Sequence, residues 1–169
     1  MEIVSGFGGY KRQYGTAFVI DDVAYICCGD NNGTLVDDLW KFDGSDWKQL
    51  RDIANNDSDE DYDDDYAITR AGTVSFVIDG RGYIATGTRS GVTSDYWVYD
   101  PEEDLWYGDS DDDYTPMTNV HNVSSGGSSR SYAVSFSTGK RGFVLSGSSG
   151  TSYFDDVYEL LPYEQEDVD

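Results

Sequence analysis

Apolar and polar positions along this chain alternate in short bursts. Runs such as TAFVI (16–20), VAYICC (23–28), TVSFVI (73–78) and GYIATG (82–87) are four to seven residues long, rich in Val, Ile, Tyr and Phe, and separated by Asp-Asp, Asp-Gly, Gly-Lys or Pro. Short period-two runs bounded by turn residues predict β-strands, and no segment carries helical spacing. The pattern also repeats. Residues 12–29 (RQYGTAFVIDDVAYICCG) return as RAGTVSFVIDGRGYIATG at 70–87 and as RSYAVSFSTGKRGFVLSG at 130–147, offset by 58 and 60 residues.

After the glycine that closes each copy comes a polar loop and then a second shared stretch: DDLWKFD (37–43), SDYWVYD (94–100) and DDVYELL (155–161). Two copies finish on a tryptophan, Trp47 and Trp106. Each repeat therefore predicts four antiparallel strands: 16–20 with its counterparts, 23–28, 39–42, and a last strand opening at Trp47 or Trp106. The third copy lacks that last tryptophan. The chain divides into a first repeat at 12–56, an acidic insert at 57–69, a second repeat at 70–108, an acidic then Ser/Gly-rich connection at 109–129, a third repeat at 130–161 and an acidic tail at 162–169.

Charge sharpens this division. The formal net charge is −22, which disfavours polyanions and excludes nucleic acid from the expected partners. Seven acids lie in 57–65, four in 109–113 and seven in 155–169; without these eighteen the charge becomes −4. The repeats themselves thus have an ordinary globular balance, with 38% apolar and 15% aromatic residues, too many for intrinsic disorder. No run approaches the roughly 18 apolar residues of a membrane helix, so no membrane insertion is expected and the chain reads as soluble. Cys27 and Cys28 are adjacent, a spacing at which a disulfide is strained, and both are expected to be reduced strand residues.

Four short strands repeated at this period are the signature of a propeller blade. The hydrophobic run closing on Gly29, Gly87 or Gly147, the following Asp-x-Trp/Tyr (Asp38 and Trp40; Asp95 and Trp97; Asp156 and Tyr158) and YDPEEDLW (99–106) give the chain its family likeness. It resembles kelch-repeat proteins, and among them bacterial sequences called kelch-like or galactose-oxidase-like. The resemblance covers residues 12–161 and implies an all-β fold of kelch-type β-propeller blades, each a four-stranded antiparallel sheet. The family's double glycine is reduced to one in every copy. Glycine after the second strand is expected to allow close backbone approach or positive φ, and the tryptophans to fill space between blades. Arg12, Arg70 and Arg130, one at the mouth of every first strand, are expected to pair with a neighbouring blade's carboxylate, or else to line a ligand channel.

Closed propellers have four to eight blades, so three are incomplete, or are completed by dimerisation through open blade edges. In either case EIVSGF (2–7) is expected to be the outer strand of a blade: one whose other strands lie elsewhere, the preferred reading, or the last blade of a partner copy. Galactose-oxidase-like copper chemistry, which the resemblance would imply, needs two histidines and two tyrosines; the chain has only His121, expected to be an exposed loop residue. Iron held by carboxylates and histidine, used by other kelch proteins, finds no matching set here. Sugar epimerases and mutarotases of the family imply an acid–base pair in the central channel, for which Arg70, Arg89, Arg130 and Asp95 are the candidates.

Propeller topology puts the long connections on one face. That face would carry the acidic inserts together with 30–38, 88–95 and 148–155. Alternating carboxylates are hard oxygen ligands of the kind calcium accepts, which makes Asp57, Asp59, Asp61, Asp63, Asp109, Asp111 and Asp113 candidate ligands; a self-repelling solvated loop is the alternative. Tyr62, Tyr66 and Tyr114 stand among these acids and are candidate contact residues. The expected function is a non-catalytic binding scaffold for a protein or a carbohydrate, with calcium the one candidate cofactor. The resemblance places it at the bacterial cell surface or periplasm.

Overall fold

The computed structural model describes residues 6–54, 68–108 and 128–160. These form an all-β structure of antiparallel sheets. The first repeat supplies β1 (Thr16–Ile20), β2 (Val23–Cys27), β3 (Asp30–Asn31), β4 (Thr34–Leu35), β5 (Trp40–Phe42) and β6 (Trp47–Gln49). The second supplies β7 (Val74–Ile78), β8 (Arg81–Thr88), β9 (Val92–Asp100) and β10 (Leu105–Gly108). The third supplies β11 (Val134–Ser137), β12 (Gly142–Leu145), β13 (Ser148–Ser149), β14 (Ser152–Tyr153) and β15 (Val157–Leu160). The main sheets run β1-β2-β5-β6, β7-β8-β9-β10 and β11-β12-β15, with small hairpins β3-β4 and β13-β14. We call the main sheets I, II and III.

Local chemistry explains the tight hairpins. Asp21 and Asp22 both take positive φ (48° and 65°), as do Asp79 and Gly80 (48° and 78°), the pairing a two-residue turn needs to match strand twist. In sheet III Gly139 takes the positive φ at 86°. The polar connections after the second strands, expected to be loops, are instead extended. Beyond the closing glycine the chain pairs with the residue that leads into the first strand: Asp30 with Gln13, Thr88 with Ala71, Ser148 with Ser131. That bridge forces a hairpin, and in sheet II it simply prolongs β8 and β9 past an irregularity between Ala85 and Gly87.

The core lies between consecutive sheets. Phe18, Ile20, Tyr25 and Cys27 of sheet I pack with Ile84, Trp97, Tyr99 and Trp106 of sheet II. On its other side sheet II presents Val74, Phe76, Ile78 and Tyr83 to Val144 and Leu160 of sheet III. The tryptophans of sheet II thus fill the space between sheets, as their sequence positions suggest. Two glycines permit this proximity. A Cβ on Gly82 would sit 2.3 Å from the Phe18 ring, and one on Gly142 would sit 2.4 Å from the Phe76 ring, so each phenylalanine rests on bare backbone.

The first strands also touch one another. The Ser75 hydroxyl donates to the Ala17 carbonyl at 2.8 Å and the Ser135 hydroxyl donates to the Ser75 carbonyl at 2.7 Å. Between β1, β7 and β11 lies an open groove of about 240 Å³ lined by Ala17, Val19, Ser75, Val77, Phe136 and Ser137 among others. At the other end of the chain, the described part of the segment expected to be an outer strand, Gly6 and Phe7, is not in a strand. Phe7 packs instead on Trp40 and Trp47, with ring centroids 5.7 and 5.0 Å apart. Among the described residues no helix is long and apolar enough to cross a membrane.

Candidate functional site

Each repeat builds the same polar knot where its first strand begins. In sheet II the Arg70 guanidinium donates to both carboxylate oxygens of Asp95, at 2.9 and 2.7 Å, to the Thr86 carbonyl at 3.1 Å and, through Nε, to the Ile68 carbonyl at 3.0 Å. Trp97 Nε1 donates to the same Asp95 at 3.1 Å. Sheet I repeats it: Arg12 pairs with Asp38, donates to the Cys28 carbonyl at 3.1 Å, and Trp40 Nε1 donates to Asp38 at 2.8 Å. In sheet III Arg130 holds Asp156 at 2.5 and 3.0 Å and the Ser146 carbonyl at 2.9 Å. Tyr158 replaces the tryptophan there, and the guanidinium lies over the Phe154 and Tyr158 rings at 4.5 and 4.9 Å.

The arginines therefore pair within their own repeat, against the expectation of a neighbouring repeat's carboxylate. The reason is geometric: the αL-Gly bulge after the second strand turns a carbonyl toward the guanidinium, and the third strand starts beside it. Arg70 and Arg130 are fully buried, while the side chains of Asp95 and Asp156 stay 30% and 34% exposed. Burial alone would push the Asp95 carboxyl up, but the two hydrogen bonds and the charge of Arg70 outweigh it and hold it below the usual carboxylate range. Hydrogen bonding from Arg130 lowers Asp156 in the same direction.

The bulge also links the repeats. Cys28, Thr86 and Ser146 have φ of 61°, 61° and 59°, followed by Gly29, Gly87 and Gly147 at 110°, 105° and 91°. The Gly29 amide donates to the Arg70 carbonyl and the Gly87 amide to the Arg130 carbonyl, both at 2.8 Å. Two residues before the first strand, a second chain of bonds runs between repeats: the Gly72 amide to the Tyr14 carbonyl and the Tyr132 amide to the Gly72 carbonyl, each 2.9 Å. Tyr14, Gly72 and Tyr132 occupy equivalent positions at φ 57°, 65° and 56°. Because the middle one lacks a side chain, the two tyrosine rings meet above it edge to face, 5.2 Å apart, and remain 52% and 56% exposed.

This aromatic pair was missed in the sequence. The signal was present in the alignment of the repeats as a Tyr/Gly/Tyr column. Of the candidates named from sequence, Arg70, Arg130 and Asp95 are drawn into the buried knots. Arg89 sits exposed at the tip of the β8–β9 hairpin, its amide donating to the Gly91 carbonyl at 3.0 Å. Asp57, Asp59, Asp61, Asp63, Asp109, Asp111, Asp113, Tyr62, Tyr66, Tyr114 and His121 lie outside the described residues. Among the described residues no group of three or more His, Cys, Asp or Glu side chains is arranged to hold a metal ion. Cys27 and Cys28 are free and buried.

No protein-family model matches the chain, and no curated protein matches it.

Proposed function

We propose that the chain is a kelch-type propeller segment that acts as a non-catalytic binding scaffold, contacting a glycan or a protein through the face where the first strands begin. The observation that carries this reading is the Tyr14–Tyr132 pair, two half-exposed rings fixed on a rigid, hydrogen-bonded frame. Non-glycine residues held at positive φ cost of order 1–3 kcal/mol each and collect at ligand sites. Aromatic faces on a preorganised scaffold are what sugar rings or apolar side chains stack upon. The acidic inserts belong to the same face in propeller topology, and calcium there would stabilise the folded state by mass action.

Glycan-array binding by the parent and by the Tyr14→Ala/Tyr132→Ala double variant tests the reading. Binding that the double variant loses, with its melting temperature kept within a few degrees, is the expected result; a double variant that binds as well as its parent would overturn it. A sugar-modifying reading needs Arg70 and Asp95 free for proton transfer. Their bidentate pairing in a buried knot favours the scaffold.

A further inference from the structure

Sheets I and II each offer an apolar face that the next sheet covers, and among the described residues sheet III offers the same face uncovered. The covered faces are built alike: Phe18 rests on Gly82 and Phe76 rests on Gly142. The third-repeat counterpart is Phe136, stacked on Phe143 with centroids 4.7 Å apart. Phe136 is 50% exposed, and Val134 and Val157 beside it are 57% and 58% exposed, whereas Phe18 and Phe76 are each 4% exposed. Glu159 also lies on this face, paired with Arg141, but Lys41 occupies the equivalent place on the covered face of sheet I, so a charge there is compatible with coverage.

We propose that the face formed by Val134, Phe136, Phe143, Leu145 and Val157 docks one further four-stranded sheet of this same repeat type, one that carries glycine where sheets II and III carry Gly82 and Gly142. The existing junctions specify the rest of that partner. It brings an arginine carbonyl, as Arg70 and Arg130 do for Gly29 and Gly87, and a serine hydroxyl, as Ser75 and Ser135 do for Ala17 and Ser75.

The first sheet of a second copy does not meet this specification. Ala24 stands where the others have Gly82 and Gly142, and Ala17 stands where they have Ser75 and Ser135. A Cβ at the glycine position falls within van der Waals overlap of the docking ring. Phe7 moreover already sits on Trp40 and Trp47, the counterparts of Trp97 and Trp106, which sheet I covers in sheet II. Among the described residues, Phe7 thus covers these two tryptophans of sheet I, and nothing covers the Phe136 face of sheet III.

The full chain serves as acceptor in the test. The probe is a full chain carrying Phe7→Ser, Ala17→Ser and Ala24→Gly, whose first sheet then has the incoming surface of the second and third. Sedimentation is expected to show probe binding the parent at least about tenfold more tightly than the parent binds itself, and Phe136→Ser in the acceptor to abolish it. Parent self-association as tight as probe binding and lost with Phe136→Ser would overturn the proposal, since a second copy would then be the occupant. So would a folded probe that fails to bind. Should the probe not fold, the full chain extended after residue 160 by a second copy of residues 70–160 replaces it. Amide exchange at 134–137 is then expected to slow to the level of 74–77, and unchanged exchange overturns the proposal.

Discussion

At the scale of single residues, the bulge after each second strand concentrates cost in one position. Thr86 is β-branched, sits at φ 61°, and buries a hydroxyl with no hydrogen-bond partner. The left-handed conformation costs an L-residue roughly 1–2 kcal/mol and an unsatisfied buried hydroxyl about 1–3 kcal/mol, set against the packing that a threonine side chain provides and the chain entropy that glycine loses. Thr86→Gly is therefore expected to leave the melting temperature unchanged or raise it by a few degrees, and a clear fall would show that packing dominates. In every copy the position before the closing glycine is left-handed although it is not itself a glycine, being held by Cys28, Thr86 or Ser146.

The carboxylate of the knot gives a pH signature with a definite sign. Asp95 titrates lower in the folded chain than its ordinary value. Its contribution is present in full above the unfolded pKa of about 3.9 and is lost as pH falls through the lower folded value. Asp95→Asn, which leaves buried Arg70 without its counter-ion, is expected to destabilise by about 1–3 kcal/mol near neutral pH. Thermal melts of parent and variant from pH 7 to pH 2 should show the gap narrowing as pH drops below the unfolded value of about 3.9; a gap constant with pH would mean that the ion pair contributes nothing.

At the scale of elements, the strand frame was legible because each strand alternates, and because Asp-Asp and Asp-Gly force two-residue turns. The hairpins β3-β4 and β13-β14 were not, since Asn, Ser, Gly and Thr carry no period-two signal and their pairing is imposed from outside by Gln13 and Ser131. The arginine partners were misread for a related cause. Each lies 26, 25 or 26 residues downstream in its own repeat, a near-constant spacing that becomes meaningful only when strands one and three are known to start side by side. The Tyr14–Tyr132 contact shows in the sequence only as a Tyr/Gly/Tyr column of the aligned repeats, which becomes meaningful once the three positions are known to be adjacent and Gly72 leaves room between the rings. The sheet junctions make a prediction of their own: Gly82→Ala drives a methyl into the Phe18 ring and is expected to cost about 1–3 kcal/mol. Truncation tests the faces from the other side. Phe76→Ala should cost about 3–5 kcal/mol and Phe136→Ala well under half of that, read by urea melts; equal losses would mean that the outer face of sheet III is covered.

At the scale of the whole molecule, a formal charge of −22 works against compactness. Raising sodium chloride from about 0.05 to about 0.5 M shortens the screening length severalfold and is expected to raise the melting temperature by several degrees. Millimolar calcium should do more than equal ionic strength of sodium if the inserts hold an ion, and Asp57→Asn/Asp59→Asn/Asp61→Asn should remove the excess; identical salt and calcium curves would leave those carboxylates as solvated charge. Sheet II packs against sheet I on one side and sheet III on the other, and the first and third repeats meet through the Tyr14–Tyr132 rings, so stability is expected to divide mainly into sheet and junction contributions.

That serial arrangement gives the two cysteines a use as reporters. Both sulfurs are fully buried at the seam between the first and second repeats, with Cys28 Sγ 3.9 Å from the Ile68 carbonyl, and the thiol of Cys27 is pushed well up by its hydrogen bond with Cys28 and by burial. A thiol so placed is inert to alkylating agents while the seam is closed. Its labelling rate in the native protein therefore clocks the opening of one junction and not of the other, a measure of local unfolding that the chain carries without any added probe.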